Sequence, residues 1–186
     1  MIMHIRRHYW RRRNCFNRRC WISWDKRGSE EMRVKTLRFG EIEVNEGEII
    51  TFPEGLLGFA GQKRYVILEP KDIEPLKWLQ SVDESWLAFV IVDPFIFKRD
   101  YEFDISEDCA KELGMKDVSD AIVYVILTVD EDPSRTTANL QAPIIISKRT
   151  RLAKQLILMN GDYDVRYPIL HPEERVEGES HAHSGP

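Results

Sequence analysis

The architecture of this chain can be worked out from one segment, Ile49-Ile50-Thr51-Phe52-Pro53-Glu54-Gly55-Leu56-Leu57-Gly58-Phe59. Its β-branched and aromatic start favours a strand, which Pro53 ends because proline has no backbone N–H for the ladder. Pro53 and Gly55 then predict a turn. Leu56, Leu57 and Phe59 follow at once, where a loop between strands is usually polar. These side chains either fill the core of their own domain or face a partner, and we expect a fixed loop in both cases.

Short apolar runs recur on both sides of this segment with turn signals between them, as expected of strands. The predicted strands are 34–39, 41–44, 49–52, 65–68, 78–82, 86–92, 121–129, 138–141, 144–146 and 155–158. The runs 86–92 and 121–129 are almost continuously apolar, which predicts central strands buried on both faces. A helix is predicted to begin after Ser106, a good N-cap, and to end at Gly114. The pattern predicts an all-β fold, a small, mostly antiparallel, closed or nearly closed β-barrel-like domain with one or two short helices.

Composition places the chain among ordinary globular proteins, with 186 residues, 42% hydrophobic and 31% charged. The sequence has no apolar run long enough to cross a bilayer and nothing that resembles a secretory signal. Its three cysteines, Cys15, Cys20 and Cys109, are too few for a disulfide framework and fit a reducing compartment. We therefore expect a cytoplasmic protein without a membrane partner.

The net charge of −4 hides a sharp division. Residues 1–31 hold nine Lys/Arg against three Asp/Glu, whereas residues 32–186 hold eighteen against twenty-eight. We expect three regions: a basic, disordered extension at 1–31, a folded domain at 32–171 and a disordered tail at 172–186. Because Met32 reads like a chain start that leads into a strand, residues 1–31 are also expected to be an upstream extension from an over-long start assignment.

Two functions can be considered for the basic extension, nucleic-acid binding and metal binding. Its arginines are interleaved with Trp10, Trp21 and Trp24, a mixture that can bind single-stranded nucleic acid by phosphate contact and stacking. Cys15 and Cys20 lie near two histidines, but their spacing matches no standard zinc finger, so we expect no metal site. The extension shows no period of 3.6 or 2 that would bury one face.

Recognisable catalytic machinery is absent from the sequence of the predicted domain. Its sole histidine, His171, lies at its end, and Cys109 falls on the predicted inner face of the helix. There is no phosphate loop, no dinucleotide fingerprint and no nucleophile elbow. We expect a binding protein without enzymatic activity, cofactor or metal. A hydrolase with paired carboxylates is the alternative, and it predicts a deep pocket of convergent Asp/Glu with raised pKa values.

Several segments together resemble the flagellar assembly factor FliW family. They are Phe39-Gly40-Glu41-Ile42-Glu43-Val44, Ile50-Thr51-Phe52-Pro53-Glu54-Gly55-Leu56-Leu57-Gly58-Phe59, Leu79-Gln80-Ser81-Val82-Asp83, Leu87-Ala88-Phe89-Val90-Ile91-Val92-Asp93-Pro94, Asp100-Tyr101, Thr137-Ala138-Asn139-Leu140-Gln141-Ala142-Pro143-Ile144 and Tyr163-x-Val165-Arg166. The likeness runs from residue 33 to about residue 170 and leaves the basic extension outside.

The resemblance implies a cytoplasmic, non-catalytic protein with two protein partners. One is CsrA, the carbon storage regulator, a basic RNA-binding dimer that represses translation of flagellin mRNA and that FliW proteins antagonise. The other is flagellin, which takes FliW away and leaves CsrA free to repress. The acidic charge of residues 32–186 suits a basic partner and disfavours direct contact with nucleic acid.

Two apolar segments are the candidates for partner binding. The residues are Leu56, Leu57, Phe59, Asn139, Leu140, Gln141 and Pro143. The structural alternative is that glycines fix the first segment as a turn, while Asn139 and Gln141 satisfy backbone groups at one end of the barrel. The competing function is a β-barrel nucleic-acid binding module whose basic arm is residues 1–31; it predicts salt-sensitive RNA binding.

Overall fold

A computed structural model of the protein describes residues 2–5, 31–159 and 161–170. The strands are β1 Met3–Ile5, β2 Glu31–Thr36, β3 Gly40–Asn45, β4 Ile50–Thr51, β5 Arg64–Leu68, β6 Lys77–Ser81, β7 Ala88–Val92, β8 Phe103–Ile105, β9 Ala121–Thr128, β10 Thr137–Ala138, β11 Ile144–Ser147, β12 Ala153–Gln155 and β13 Tyr167–Pro168. Helix α1 is Glu107–Glu112, and short 3-10 helices lie at Glu46–Glu48, Lys71–Ile73, Pro94–Ile96, Val118–Asp120 and Pro133–Arg135.

The main sheet curls into a nearly closed barrel. Its strands follow the order β12-β11-β9-β7-β6-β5-β4, and every neighbouring pair is antiparallel. The two ends of this order meet where Thr51 of β4 forms a parallel bridge with Leu152, directly before β12. The Thr51 N–H donates to the Arg151 carbonyl at 2.9 Å. The prediction of an all-β, mostly antiparallel, nearly closed barrel-like domain is thus confirmed.

Strand β9 separates two apolar clusters because successive side chains of a strand point to opposite faces. Ile122 and Tyr124 pack with residues of β4, β5 and β11 in one cluster. Val123 and Val125 pack on the other face, with residues of α1, β1 and β8. The prediction that the run 121–129 is a central strand buried on both faces is confirmed for residues 121–125; Leu127 is also buried, whereas Ile126 is half-buried.

The helix prediction is also confirmed at its start. The Ser106 side chain accepts a hydrogen bond from the Cys109 N–H at 3.2 Å, which satisfies one of the free donors of the first turn. Cys109 is buried and not disulfide-bonded, and burial raises the pKa of its thiol. In the described part of the chain, no helix is both long and apolar enough to cross a membrane.

Four strand predictions need correction. The predicted strand 34–39 ends at Thr36, because the next three residues form a turn in which Leu37 is 80% exposed. The run 86–92 begins as a strand only at Ala88, because a turn that is bonded from the Leu87 N–H to the Glu84 carbonyl holds Trp86 outside the sheet. Trp86 is 57% exposed, and Ala88, Phe89 and Val90 are only half-buried, so the predicted burial on both faces was wrong for these residues. The predicted strand 138–141 ends at Ala138, the last residue of β10, because the following residues form a turn. The predicted strand 155–158 is paired only at Gln155, the last residue of β12.

Residues 3–5 depart from the expectation of disorder before residue 32. Met3–Ile5 form β1, and Ile5 is completely buried. An alternation of three residues is too short a signal to stand out beside a basic segment, which is why the sequence did not reveal it. Residues 6–30 and 171–186, with Cys15, Cys20, the three tryptophans of the basic extension and His171, lie outside the described residues.

Candidate protein-binding surface

The segment after Pro53 is held by a first turn in which the Gly55 N–H donates to the Phe52 carbonyl at 3.0 Å. Gly55 has φ +74°, in the left-handed region that side chains other than glycine rarely adopt. A Cβ at this position would lie only 2.6 Å from the Phe59 carbonyl oxygen and from the Ala60 Cα. Glycine is therefore required here, and the segment has one defined path.

A second turn follows directly, and it directs the three apolar side chains to different environments. The Phe59 N–H donates to the Leu56 carbonyl at 2.8 Å, with Gly58 at φ +82° in the third position, as a type II turn requires. Leu56 is buried in the barrel core, whereas Leu57 at the tip is 52% exposed. Phe59 is half-buried. Of the three candidates, Leu56 therefore belongs to the core, and Leu57 and Phe59 are accessible.

The second candidate segment is mostly interior. Leu140 and Pro143 are buried, and the Leu140 carbonyl accepts a 2.6 Å hydrogen bond from the Tyr101 hydroxyl. The Asn139 side chain accepts from the Ala142 N–H at 3.0 Å, so its role is to hold the turn. Gln141 is half-buried. Leu140 and Pro143 are thus packing residues, and no surface can be built on them.

Gln155 connects the two candidate segments, although sequence analysis gave it no such role. Its side-chain oxygen accepts from the Leu57 N–H at 3.0 Å, and its side-chain nitrogen donates to the Ala142 carbonyl at 3.2 Å. One amide thereby joins the tip of the first segment to the second segment. No pattern in the sequence could show this, because both partners are backbone groups far away in the chain.

Aromatic side chains extend the exposed surface beyond Leu57. The Phe59 ring lies edge-on to Phe89, with 5.3 Å between centroids, and 6.4 Å from the exposed Trp86 ring. The Trp86 indole N–H donates to the Glu84 carboxylate at 3.0 Å, which fixes the ring. We call Leu57, Phe59, Trp86 and Phe89 the apolar patch. Exposed aromatic residues in rigid surroundings are typical of the centres of protein interfaces.

Two carboxylates lie beside the apolar patch. Glu84 is bonded to Trp86, and Glu54 lines a shallow cavity of about 210 Å³ beside Leu57. Lys154 lines the same cavity and pairs with Glu112 and Glu54, at 2.8 and 3.1 Å. These hydrogen bonds raise the pKa of the Lys154 ammonium. Residues 32–170 as a whole carry 17 Lys/Arg and 24 Asp/Glu, a balance of −7.

A second, larger cavity of about 700 Å³ offers a test of the hydrolase alternative, since Asp100, Glu102, Asp104 and Asp162 all line it. That alternative requires a carboxyl group with a raised pKa. The hydrogen bond from Lys98, at 2.6 Å, instead holds the pKa of Asp100 below its ordinary value. Within residues 2–5, 31–159 and 161–170, no group of three or more His, Cys, Asp or Glu is arranged to hold a metal ion.

Comparison with known proteins gives the same family from three directions. The sequence profile of the FliW protein family matches residues 33–169. The flagellar assembly factor FliW of Alkaliphilus metalliredigens is 42% identical over 150 residues, 80% of this chain and 93% of the relative. The FliW of Ruminiclostridium cellulolyticum is 42% identical over 147 residues, 78% of this chain and 99% of the relative.

The fold comparison agrees with the sequence comparison. A crystal structure of the flagellar assembly factor FliW superposes with a TM-score of 0.72 at 37% identity, covering 75% of this chain and 98% of that chain. The residues that match the family profile include those of the nearly closed barrel and of the two turns after Pro53. This chain therefore belongs to the flagellar assembly factor FliW family.

Proposed function

We propose that this flagellar assembly factor acts in the cytoplasm by binding CsrA through the apolar patch and so relieves repression of flagellin mRNA. Flagellin is the second partner, and it takes the protein away from CsrA. The observation that carries the proposal is a rigid, exposed apolar patch on a domain with excess negative charge. Leu57, Phe59, Trp86 and Phe89 therefore replace the wider set of candidate residues that the sequence suggested.

Charge supports the choice of a basic partner. A balance of −7 over residues 32–170 attracts a basic dimer and accelerates its association at low salt. The same charge repels the phosphates of mRNA, so the domain reaches the regulator without touching the RNA itself. We therefore expect the association rate to fall as salt is added.

Affinity comes from the apolar patch in this proposal. Covering a fully exposed large apolar side chain contributes about 1.5–3 kcal/mol. In the patch, Leu57 and Trp86 are exposed, whereas Phe59 and Phe89 are already half-buried and contribute less. Only part of this survives the cost of bringing two proteins together. Because the Gln155 amide and the two turns already fix the Leu57 loop, little further ordering is needed on binding.

The test measures CsrA binding by calorimetry with the full chain and with Leu57→Asp and Trp86→Ala. Both variants change exposed side chains and should fold normally, and we expect each to weaken binding at least tenfold. Ile96→Asp is the matched control. Ile96 is 45% exposed and lies in the 3-10 helix that follows the C-terminal end of β7, whereas Phe89 lies near the N-terminal end of that strand. This control variant should bind as the wild type does.

Competition tests the partner switch. Adding flagellin to the preformed complex with CsrA should release CsrA in proportion to the flagellin bound. Full-strength binding by folded Leu57→Asp and Trp86→Ala would remove the apolar patch from the interface. Failure of the wild-type protein to bind CsrA, or salt-sensitive binding of naked RNA instead, would contradict the function itself.

A further inference from the structure

Strand β8 has an edge that is covered by a segment from outside the family-matched region. β8 lies within residues 33–169, whereas its partner β1 precedes them. In the described part of the chain, β1 is the only strand that pairs with β8. Without β1, the backbone donors and acceptors along this edge of β8 would have no strand partner.

The pairing is antiparallel and specific in its side chains. Ile5 lies opposite Phe103, His4 opposite Asp104 and Met3 opposite Ile105. Ile5 is completely buried in the cluster that contains Phe103 and Ile105, and Met3 packs against that cluster. The edge therefore accepts two apolar side chains on its inner face, separated by one outward-facing residue.

A carboxylate lies opposite the outward-facing position, which favours a basic side chain there. The His4 imidazole pairs with the Asp104 carboxylate, which lies opposite it in the ladder. His4 and Ile5 line the cavity of about 700 Å³, together with Asp100, Glu102 and Asp162. Its described lining holds two basic residues, His4 and Lys98, and each is paired with a carboxylate, His4 with Asp104 and Lys98 with Asp100. The β8 edge is thus bordered by a cavity whose lining includes four carboxylates.

We propose that the β8 edge is a strand-addition site for an extended segment of a partner protein with the pattern apolar–basic–apolar, and that Met3–Ile5 of this chain occupy it and compete with that segment. Strand addition draws its affinity from main-chain hydrogen bonds and its selectivity from alternate side-chain pockets. The site lies outside the apolar patch and does not depend on the identity of the partners proposed above.

The test uses the full chain and a labelled peptide with the sequence of residues 1–7, followed by fluorescence anisotropy. Ile5→Asp removes the buried anchor of β1, and His4→Glu places a like charge opposite Asp104. Because an emptied edge binds the peptide without competition, we expect binding about tenfold tighter than wild type for Ile5→Asp and about fivefold tighter for His4→Glu. Ile2→Asp is the control: Ile2 is 61% exposed, precedes β1 and should leave binding at the wild-type level.

Hydrogen exchange supplies the second readout. The amides of residues 103–105 should exchange slowly in the wild type and in Ile2→Asp, faster in both β1 variants, and slowly again when the peptide is added. If Ile5→Asp fails to fold, His4→Glu carries the test, since its side chain is exposed. Equal protection of residues 103–105 in every variant would overturn the proposal.

Two further outcomes would also overturn it. A folded His4→Glu variant that binds the peptide no better than wild type would show that β1 does not compete. A dimeric mass for the wild type that becomes monomeric in His4→Glu would mean that β1 comes from a second copy, which contradicts occupation by the same chain.

Discussion

The Tyr101 hydroxyl donates a 2.6 Å hydrogen bond to the Leu140 carbonyl, and both residues are completely buried. This bond ties the segment before β8 to the turn after β10. Tyr101→Phe leaves the carbonyl without this partner, so we expect the free energy of unfolding to fall by about 1–3 kcal/mol. Urea denaturation at neutral pH measures the change, and a stability equal to wild type would contradict it.

Tyr65 should respond to the same substitution in the opposite way. Its ring lies edge-on to Phe52 at 5.3 Å, and its buried hydroxyl has no hydrogen-bond partner among the described residues. Tyr65→Phe keeps the ring and removes an unsatisfied polar group, so stability should stay the same or rise by about 1 kcal/mol. The two Tyr→Phe variants control each other in one denaturation series. A clear loss of stability in Tyr65→Phe would show that the hydroxyl is satisfied.

The stability of the protein at alkaline pH should depend on the buried hydroxyl of Tyr65. Burial raises the pKa of its hydroxyl to about 12, from an ordinary value of 10.0. Because the folded state favours the neutral phenol, this contribution to stability is complete below pH 10 and is lost as the pH rises from about 10 to 12. Unfolding curves across this range should fall less steeply for Tyr65→Phe than for wild type. Identical slopes would count against the shift.

Three glycines of one loop form a graded series. Gly61→Ala should be neutral, since a Cβ there meets nothing within 4 Å and the φ is not positive. Gly58→Ala should cost about 1–2 kcal/mol, because φ +82° strains a side chain even in open space. Gly55→Ala should cost more, because its Cβ also meets backbone atoms at 2.6 Å. Thermal unfolding ranks the three, and any other order would contradict the turn geometry.

Gln155 variants separate the two bonds that join the candidate segments. Gln155→Glu keeps an acceptor for the Leu57 N–H but loses the donor to the Ala142 carbonyl, whereas Gln155→Ala loses both bonds. Hydrogen exchange at the Leu57 amide should rise strongly in Gln155→Ala and only slightly in Gln155→Glu. We expect CsrA binding to weaken in the same order, because a loosened loop must be ordered on binding. Equal exchange in both variants would exclude this role.

Local chemistry in the sequence was enough to predict much of the fold. Pro53 and Gly55 located the first turn, Ser106 located the helix start, and the apolar run after Ala121 identified the central strand. These signals succeed because each depends on one residue type or on a short period. Trp86 misled the prediction because an apolar run shows hydrophobicity but not the turn that lifts its first residues out of the sheet.

The candidate site was only partly predictable. Leu57 and Phe59 were named from the sequence, but Leu56, which precedes them, is a core residue. Trp86 and Gln155 complete the site through contacts with residues distant in the chain. The pairing of Met3–Ile5 with β8 likewise joins segments about one hundred residues apart. Such long-range contacts follow from the three-dimensional fold, which periodicity along the sequence cannot specify.

The bridge between Thr51 and Leu152 sets a time order for biosynthesis. A growing chain cannot shut its ring before Leu152 has left the ribosome, when most of the other strands are already exposed. Until that moment β4 presents an unprotected edge to neighbouring nascent chains. Substitutions that weaken the contact between Thr51 and Leu152 should therefore lower the yield of soluble protein in rapidly translating cells. We expect this loss of yield to be larger than the loss in the free energy of unfolding of the purified protein would suggest.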